Sequence, residues 1–276
     1  MKVKLLIATS ILAIYLGCLL GSLFVFSNGF LIRRLSLNDT NKIVNKNLKL
    51  FDRALILFVD ALRFDFIFSA DSANIYNRVD DVDKLFGLPT IERLLRTRPS
   101  QAKLFKFIAD PPTTTMQRIK GMMTGSLPTV IDMGSNFDSY LIEDDTLIRQ
   151  AHLNNKSTII LGDDTWLSLF DASQLHAHHV YPSFNIKDLD SNDINVDEHL
   201  RFYLKKPNYH WNLCVAHLLG LDHCGHTFGP KSMVLKRKLR DVDNTIKYVC
   251  SHLVCKEKSS AAYLGKFFKQ ISGRFD

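Results

Sequence analysis

The sequence predicts an α/β protein in which a mostly parallel sheet is flanked by helices, behind one N-terminal transmembrane helix. Three observations support this prediction. Short apolar runs alternate with amphipathic stretches, polar residues follow each apolar run, and one charge-free apolar segment precedes them all. Alternating strand and helix patterns are typical of parallel sheets whose strands are covered on both faces.

The charge-free segment comes first in the chain. Residues 5–26, LLIATSILAIYLGCLLGSLFVF, contain no charged side chain. About 20 apolar residues cross the hydrocarbon core of a bilayer as a helix, whereas a cleaved signal peptide has an apolar run of about 7 to 15. We therefore expect an uncleaved membrane anchor over residues 1–30, followed by a polar membrane-proximal linker over residues 31–52.

Two glycosylation sequons indicate on which side of the membrane the body of the protein lies. They are NDT at Asn38 and NKS at Asn155. Because asparagine is glycosylated at such sites only in the secretory lumen, the sequons favour a lumenal body.

The strands and helices of the body alternate along the chain. The strands are predicted over residues 54–60, 104–110, 157–164 and 211–218. The helices are predicted near residues 89–98, 116–124, 140–153 and 194–205, where apolar residues recur at helical spacing. We expect one domain over residues 53–249 and a divergent basic tail over residues 250–276.

The net charge of +7 does not indicate a nucleic-acid-binding protein. Residues 1–230 carry 24 basic and 24 acidic side chains, so the whole excess lies after residue 230. No series of alternating aromatic and basic residues accompanies it, so we expect no nucleic-acid partner.

Polar residues with the chemistry of an active site follow the predicted strands. Asp60 ends the first strand, and a Pro-Pro-Thr-Thr-Thr turn at 111–115 follows the second. Gly-Asp-Asp at 162–164 follows the third strand, and LDHCGH at 221–226 follows the fourth. Since ligands of open α/β sheets bind outside the carboxyl ends of the strands, these residues are the candidate site.

The turn at 111–115 leads into a predicted helix, which leaves two roles open for its last threonine, Thr115. A hydroxyl at a helix N-terminus lies in a field that favours phosphate and a developing alkoxide. A threonine at a helix start is nevertheless more often a cap than a nucleophile.

Asp222 and His226 are four residues apart, and together they offer an oxygen and a nitrogen ligand suited to Zn²⁺. A catalytic zinc ion normally has three protein ligands, so a histidine-rich loop without metal is the alternative. A second histidine group, His176, His178 and His179, falls in an expected surface loop.

The segment LGDDTW at 161–166 also has two interpretations. Asp163, Asp164 and the face of Trp166 could hold a cationic substrate group. Alternatively, the two carboxylates cap a helix that begins at Thr165.

Several motifs together resemble one family. ALILFVDALRFDF, PPTTTMQRIKGMMTGSLPT, GDDTW, YPSFNIKDLD and AHLLGLDHCGHTFGP occur in this order behind a single anchor helix. The sequence is similar, over roughly residues 1–249, to the lumenal domain of the GPI ethanolamine phosphate transferases, in particular those acting on the third mannose. That family belongs to the alkaline phosphatase superfamily, so the resemblance implies an alkaline phosphatase-like fold, incomplete in this chain.

The resemblance also implies a mechanism. Asp60 would ligate one zinc ion together with Thr115, the nucleophile, and Asp222 and His226 would ligate a second zinc ion. Thr115 would take phosphoethanolamine from phosphatidylethanolamine and pass it to a mannose hydroxyl of the GPI-precursor glycolipid. A small membrane partner subunit would be expected, and His223 and Cys224 would be packing residues.

The sequence departs from the family pattern after residue 249. The family continues with an Asp-His-Gly-Met motif and a later histidine, which would complete the two zinc sites, and neither follows in this chain. One hypothesis is a transferase sequence whose remainder is encoded elsewhere. The other is an inactive membrane-anchored homologue that binds GPI intermediates or a transferase partner. A hydrolase of the same superfamily is disfavoured by TTTMQR and GDDTW.

Overall fold

The computed structural model describes residues 2–30, 52–67, 87–109, 113–126, 141–206 and 210–253, and within them the predicted parallel sheet is confirmed. Its strands are β1 (Ala54–Val59), β2 (Thr158–Asp163), β3 (Ala177–Tyr181) and β4 (Leu213–Leu218). Their order across the sheet is β1-β4-β2-β3, and every neighbouring pair is parallel. The carboxyl ends of all four strands therefore lie at one edge.

One predicted strand is wrong and one observed strand was not predicted. Residues 104–109 form no strand, and Phe105 and Ile108 are 72% and 74% exposed. The fourth strand is instead β3, which contains His178 and His179 of the expected surface loop. An apolar run shows only that a segment can be buried, whereas a strand also needs a neighbour for its backbone, which β2 supplies to β3.

The helices of the described residues are α1 (Lys2–Phe30), α2 (Pro89–Thr97), α3 (Thr115–Thr124), α4 (Leu147–Leu153), α5 (Thr165–Leu169), α6 (Ser191–Lys205), α7 (Gly220–Phe228) and α8 (Met233–Leu253). Those that follow α1 cover both faces of the sheet. Two 3₁₀ turns, Phe64–Ile67 and Ala172–Gln174, lie between them.

Helix α4 is shorter than the sequence predicts. It begins at Leu147 rather than near residue 140, because Thr146 caps it: the Thr146 hydroxyl oxygen accepts a hydrogen bond from the Arg149 amide at 3.0 Å. Such a cap satisfies one of the amides that a helix start leaves unbonded.

The core has two parts, one on each face of the sheet. Side chains of β1 alternate between them, with Leu55, Leu57 and Val59 on one face and Phe58 on the other. The first face packs against α2, α6, α7 and α8, and the second against α3, α4 and α5. This division places α3 and α7, which carry the candidate site residues, on opposite faces of the same sheet.

Residues 2–26 of helix α1 are exposed. Its apolar segment Lys2–Ser27 is long and apolar enough to cross a membrane, and none of it is buried within the protein. It is therefore a candidate membrane span, as the sequence predicts.

Candidate active site

Asp60 and Thr115 meet at the carboxyl edge of the sheet. The Thr115 hydroxyl donates a hydrogen bond of 2.6 Å to Oδ2 of Asp60. Asp60 directly follows β1, and its amide donates to the Leu218 carbonyl at the end of β4 at 3.0 Å. The structure thus brings together two residues that lie 55 positions apart in the sequence.

The backbone after Asp60 fixes its carboxylate. Ala61 has a φ of +55°, a left-handed conformation that costs a non-glycine residue about 1 kcal/mol or more. In this conformation the Ala61 amide donates to Oδ1 of Asp60 at 2.9 Å, which leaves Oδ2 directed at Thr115. The strained backbone therefore orients the acceptor of the Thr115 hydroxyl.

The structure distinguishes the threonines at the start of α3. Thr114 occupies the N-cap position in extended conformation, but its side chain makes no capping hydrogen bond. Thr115 is the first helical residue, and its hydroxyl bonds to Asp60 rather than to the helix backbone. The hydroxyl therefore lies at the positive end of the α3 dipole, where negative charge is stabilised.

Asp222 and His226 form the second pair, one turn apart on α7. The distance from His226 Nε2 to Asp222 Oδ2 is 3.4 Å, and the two side chains are 60% and 13% exposed. His223 and Cys224 point away from this pair. His223 Nδ1 contacts the Asp188 carbonyl at 2.9 Å, and burial raises the pKa of the fully covered Cys224 thiol.

The donor types of the two pairs suit zinc, but their number is insufficient. Asp60 and Thr115 offer two oxygens, and Asp222 and His226 offer an oxygen and a nitrogen. Within the described residues there is no group of three or more His, Cys, Asp or Glu side chains that could hold a metal ion. Each pair can therefore supply only part of a zinc coordination sphere.

The segment Asp163–Trp166 is mostly internal. Asp163 and Trp166 are 1% and 0% exposed, and Phe58 and Phe170 lie against the indole with ring centroids 5.5 and 5.6 Å away. Their burial argues against a role in holding a substrate ammonium group. Asp164 accepts a hydrogen bond of 2.7 Å from the Ser183 hydroxyl, and the helix predicted to begin at Thr165 is confirmed as α5.

A buried histidine that the sequence reasoning did not identify contacts both Asp163 and Trp166. His217 on β4 is 2% exposed, and its Nδ1 lies 2.9 Å from Oδ1 of Asp163 and 3.1 Å from Nε1 of Trp166. Since the indole N–H can only donate, Nδ1 cannot bond to both partners in one protonation state. The sequence signal that could have identified His217 is its position inside the near-continuous apolar run WNLCVAHL.

The opposite charges of Asp163 and His217 favour the hydrogen bond between these two residues over the one between His217 and Trp166. Burial alone raises the pKa of Asp163, but the hydrogen bond and charge of His217 outweigh burial and leave it below its ordinary value. Burial alone lowers the pKa of His217, but Asp163, together with the charges of Asp60 and Asp193, raises it. Each of the two pKa shifts thus favours the charged form of its group.

The second histidine group lies away from both pairs. His179 on β3 stacks on His199 of α6, with ring centroids 3.9 Å apart, and its Nε2 lies 2.9 Å from the Tyr203 hydroxyl. Burial, followed by the charges of His199 and His178, lowers the pKa of His179. His176 and His178 are exposed.

The two sequons differ in what the structure describes. Asn155 is exposed in the turn between α4 and β2, with a φ of +53°. Asn38 lies outside the described residues.

Comparison with known proteins identifies relatives that match much of this chain. GPI ethanolamine phosphate transferase 3 of Saccharomyces cerevisiae is 37% identical over 234 residues, which are 83% of this chain and 22% of that protein. The catalytic subunit of GPI ethanolamine phosphate transferase 3 of Homo sapiens is 40% identical over 203 residues, 74% of this chain and 18% of that protein. The chain thus spans about a fifth of the length of these relatives.

Among solved structures, human ectonucleotide pyrophosphatase / phosphodiesterase 5 matches with a TM-score of 0.45 and 14% identity, covering 74% of this chain and 52% of that one. The model of the type I phosphodiesterase / nucleotide pyrophosphatase family matches residues 55–258, which include β2, β3, β4, all of β1 except its first residue, and both residue pairs of the site. The chain therefore belongs to the type I phosphodiesterase / nucleotide pyrophosphatase family.

Proposed function

We propose that this chain is part of the catalytic domain of a transferase that moves phosphoethanolamine from phosphatidylethanolamine to a mannose of a GPI precursor. The observation that carries the proposal is the hydrogen bond of 2.6 Å between the Thr115 hydroxyl and Asp60. It gives a potential nucleophile a proton acceptor at a helix N-terminus that favours phosphate.

In the first step, Thr115 Oγ1 attacks the phosphorus of phosphatidylethanolamine. The hydroxyl proton leaves along the hydrogen bond to Asp60, and the bond from phosphorus to the diacylglycerol oxygen breaks. The diacylglycerol oxygen takes up a proton from solvent, and phosphoethanolamine remains attached to Thr115. The amides at the start of α3 stabilise the negative charge of the transferring group.

In the second step, a mannose hydroxyl oxygen attacks the same phosphorus, and its proton passes through His226 to solvent. The bond to Thr115 breaks, and Thr115 regains its proton from Asp60. We assign Asp222 and His226 to the mannose hydroxyl because they lie at the same edge of the sheet and because His226 is largely exposed.

Zinc fits this site in donor type. Asp60 with Thr115, and Asp222 with His226, would each contribute to the coordination of one ion, which would lower the pKa of bound oxygen nucleophiles and offset negative charge.

The nature of the substrates is supported by similarity. The relatives named GPI ethanolamine phosphate transferase 3 are 37–41% identical to this chain, and those named GPI ethanolamine phosphate transferase 2 are 31–34% identical, which favours the third mannose as the acceptor. A lipid donor and a glycolipid acceptor also suit a protein with a candidate membrane span at its N-terminus. We propose that the catalytic domain faces the lumen of the endoplasmic reticulum and that a small membrane subunit is its partner.

The experiment compares two neighbouring threonines. The chain is purified in detergent, incubated with phosphatidylethanolamine, and searched by mass spectrometry for phosphoethanolamine bound to a peptide. We expect the group on Thr115, its transfer to a mannoside acceptor, and the loss of both in Thr115→Ala. Thr114→Ala is the control, because the exposed Thr114 side chain makes no capping hydrogen bond.

Three outcomes would contradict the proposal. A label elsewhere would exclude Thr115 as the nucleophile. Neither label nor transfer would favour the inactive homologue that binds GPI intermediates. Cleavage of nucleotide diesters without any transfer to mannosides would favour a hydrolase.

A further inference from the structure

Helix α7, which carries Asp222 and His226, begins at a carboxylate from another element. The amides of Leu219 and Gly220 donate hydrogen bonds of 2.9 and 3.0 Å to Oδ1 of Asp193, which belongs to α6. The first amides of a helix have no partner within the helix, and a negative charge there also interacts favourably with the helix dipole. Asp193 therefore caps α7 from a distance of 26 residues in sequence.

The other oxygen of Asp193 is held by a buried lysine. Lys238 of α8 lies with its Nζ 2.8 Å from Oδ2 of Asp193 and 3.2 Å from Oδ1 of Asp190, and its side chain is only 2% exposed. Burial lowers the pKa of Lys238, but the charge and hydrogen bonds of the two carboxylates outweigh burial and raise it. Lys238 thus stays charged and links α8 to the carboxylate that caps α7.

The chain passes so close to this ion pair that only glycine fits. A Cβ at Gly220 would lie 2.3 Å from the Leu189 carbonyl oxygen, 2.4 Å from Oδ2 of Asp193 and 2.4 Å from Cε of Lys238. Distances below 3.0 Å force the surrounding atoms to move. The start of α7 is therefore packed directly against the Asp193–Lys238 pair.

Asp222 follows Gly220 by two positions, and His226 lies one turn further along α7. A change in the direction in which α7 leaves the sheet would move both side chains relative to Asp60. We propose that Asp193, held by Lys238, is a positioning residue that sets the orientation of α7 and thereby aims Asp222 and His226 at the carboxyl edge of the sheet. The role of Asp222 and His226 in catalysis rests on the proposed function, but the ordering of α7 by Asp193 does not.

Asp197 provides a matched control on the same helix. It also binds a cation, Arg201, and it accepts a hydrogen bond of 2.8 Å from the Thr245 hydroxyl of α8. It differs from Asp193 in having no hydrogen bond to α7. Asp193→Ala removes an ion pair to α8 and the cap of α7. Asp197→Ala removes an ion pair within α6 and a hydrogen bond to α8, and it leaves the cap of α7 in place.

The experiment measures hydrogen exchange over residues 219–228, the melting temperature, and the kcat and KM of transfer, all on the full chain in detergent. For Asp193→Ala we expect exchange in the first turn of α7 to become about tenfold faster, as for the loss of a helix cap. We expect kcat to fall about tenfold while the KM for phosphatidylethanolamine stays within about twofold. Asp197→Ala should leave the exchange of α7 and kcat unchanged.

A second variant distinguishes an effect on the orientation of α7 from an effect on the stability of the whole fold. Asp193→Ala leaves Lys238 buried with one carboxylate fewer, whereas Asp193→Ala combined with Lys238→Met removes the charge as well. Since removing both partners of a buried pair costs much less than removing one, the double variant should regain most of the melting temperature. It should not regain the protection of α7 or the lost kcat, because the cap is still absent.

Restoration of kcat together with the melting temperature would overturn the proposal, and so would equally fast exchange of α7 in Asp197→Ala. If the unmodified chain transfers no phosphoethanolamine, the proposed function fails. The exchange data then decide alone whether Asp193 orders α7.

Discussion

The two residue pairs at the sheet edge are built in different ways. Asp60 and Thr115 come from a strand and a helix 55 residues apart and meet through a hydrogen bond of 2.6 Å. Asp222 and His226 lie one turn apart on α7, at 3.4 Å. The first pair exists only because the fold joins distant elements, whereas the second follows from local helix geometry.

The surroundings of the two pairs differ as well. Asp60 is 6% exposed, and its charge acts on the buried His217, whereas the His226 side chain is 60% exposed. We infer that changes around the first pair affect both the stability of the fold and the chemistry. Changes at the second pair should affect the chemistry almost alone.

The largest effect is expected for Asp60→Asn. An amide keeps the acceptor for the Ala61 N–H but removes the carboxylate that receives the Thr115 proton. A positioned proton acceptor contributes about 10²- to 10⁴-fold, so kcat for transfer should fall by that range. Asp65→Asn is the control, since exposed Asp65 pairs only with Arg63 nearby. A loss of less than about tenfold would remove Asp60 from the reaction.

The next effect is on stability. His217→Asn leaves Asp163 buried without its cation, and breaking such a pair costs roughly 3 kcal/mol. Because the pKa of His217 is raised above 6.5, its contribution is complete below pH 6.5 and is lost as the pH rises through the folded value. The contribution of Asp163, whose pKa is lowered, is present above pH 3.8 and is lost as the pH falls through its lowered value.

Urea unfolding of His217→Asn and the unmodified chain at pH 6 and pH 9 tests this sign. The difference in the free energy of unfolding should be larger at pH 6. His152→Asn, at an exposed position at the end of α4, should change stability by no more than about 0.5 kcal/mol at either pH. Equal differences at both pH values would mean that His217 is not held in its charged form.

Alanine substitutions at Gly162 of β2 and Gly225 of α7 compare how tightly the backbone is packed in these two regions. A Cβ at Gly162 would lie 3.0 Å from Cβ of His217 and 3.1 Å from Cδ1 of Trp166, so Gly162→Ala should destabilise the protein by about 1–3 kcal/mol. A Cβ at Gly225 of α7 would meet nothing within 4 Å. Gly225→Ala should therefore stabilise the protein by about 0.5–1 kcal/mol. Thermal melts measure both, and equal effects would contradict the contrast between the two regions.

The smallest overall effect is expected for His226→Asn. Loss of the exposed His226 imidazole should lower kcat about tenfold while changing the free energy of unfolding by less than about 0.5 kcal/mol. His178→Asn, which changes an exposed histidine of β3, should alter neither quantity. A loss of stability comparable to that of His217→Asn would show that α7 is coupled to the core through His226.

The pairing of strands explains where sequence reasoning succeeded and failed. The strands at 54–60, 157–164 and 211–218 were recognisable because their central residues are buried on both faces and form short apolar runs. The outer strand β3 is only partly buried and carries histidines, so its composition resembles that of a loop. The run at 104–110 has a strand-like composition, but residues 104–109 have no neighbouring strand among the described residues.

The sequence by itself determined the fold class, the candidate membrane span and the Asp222–His226 spacing, because these depend on local periodicity and composition. It left Thr115 open between cap and nucleophile, and it did not reveal His217 as the partner of Asp163. Only the tertiary structure shows that the Thr115 hydroxyl bonds to Asp60 and that His217 is the partner of Asp163, since these contacts join residues more than 50 positions apart. Such contacts depend on strand order and on which face of the sheet each helix covers, and neither is encoded in any single segment.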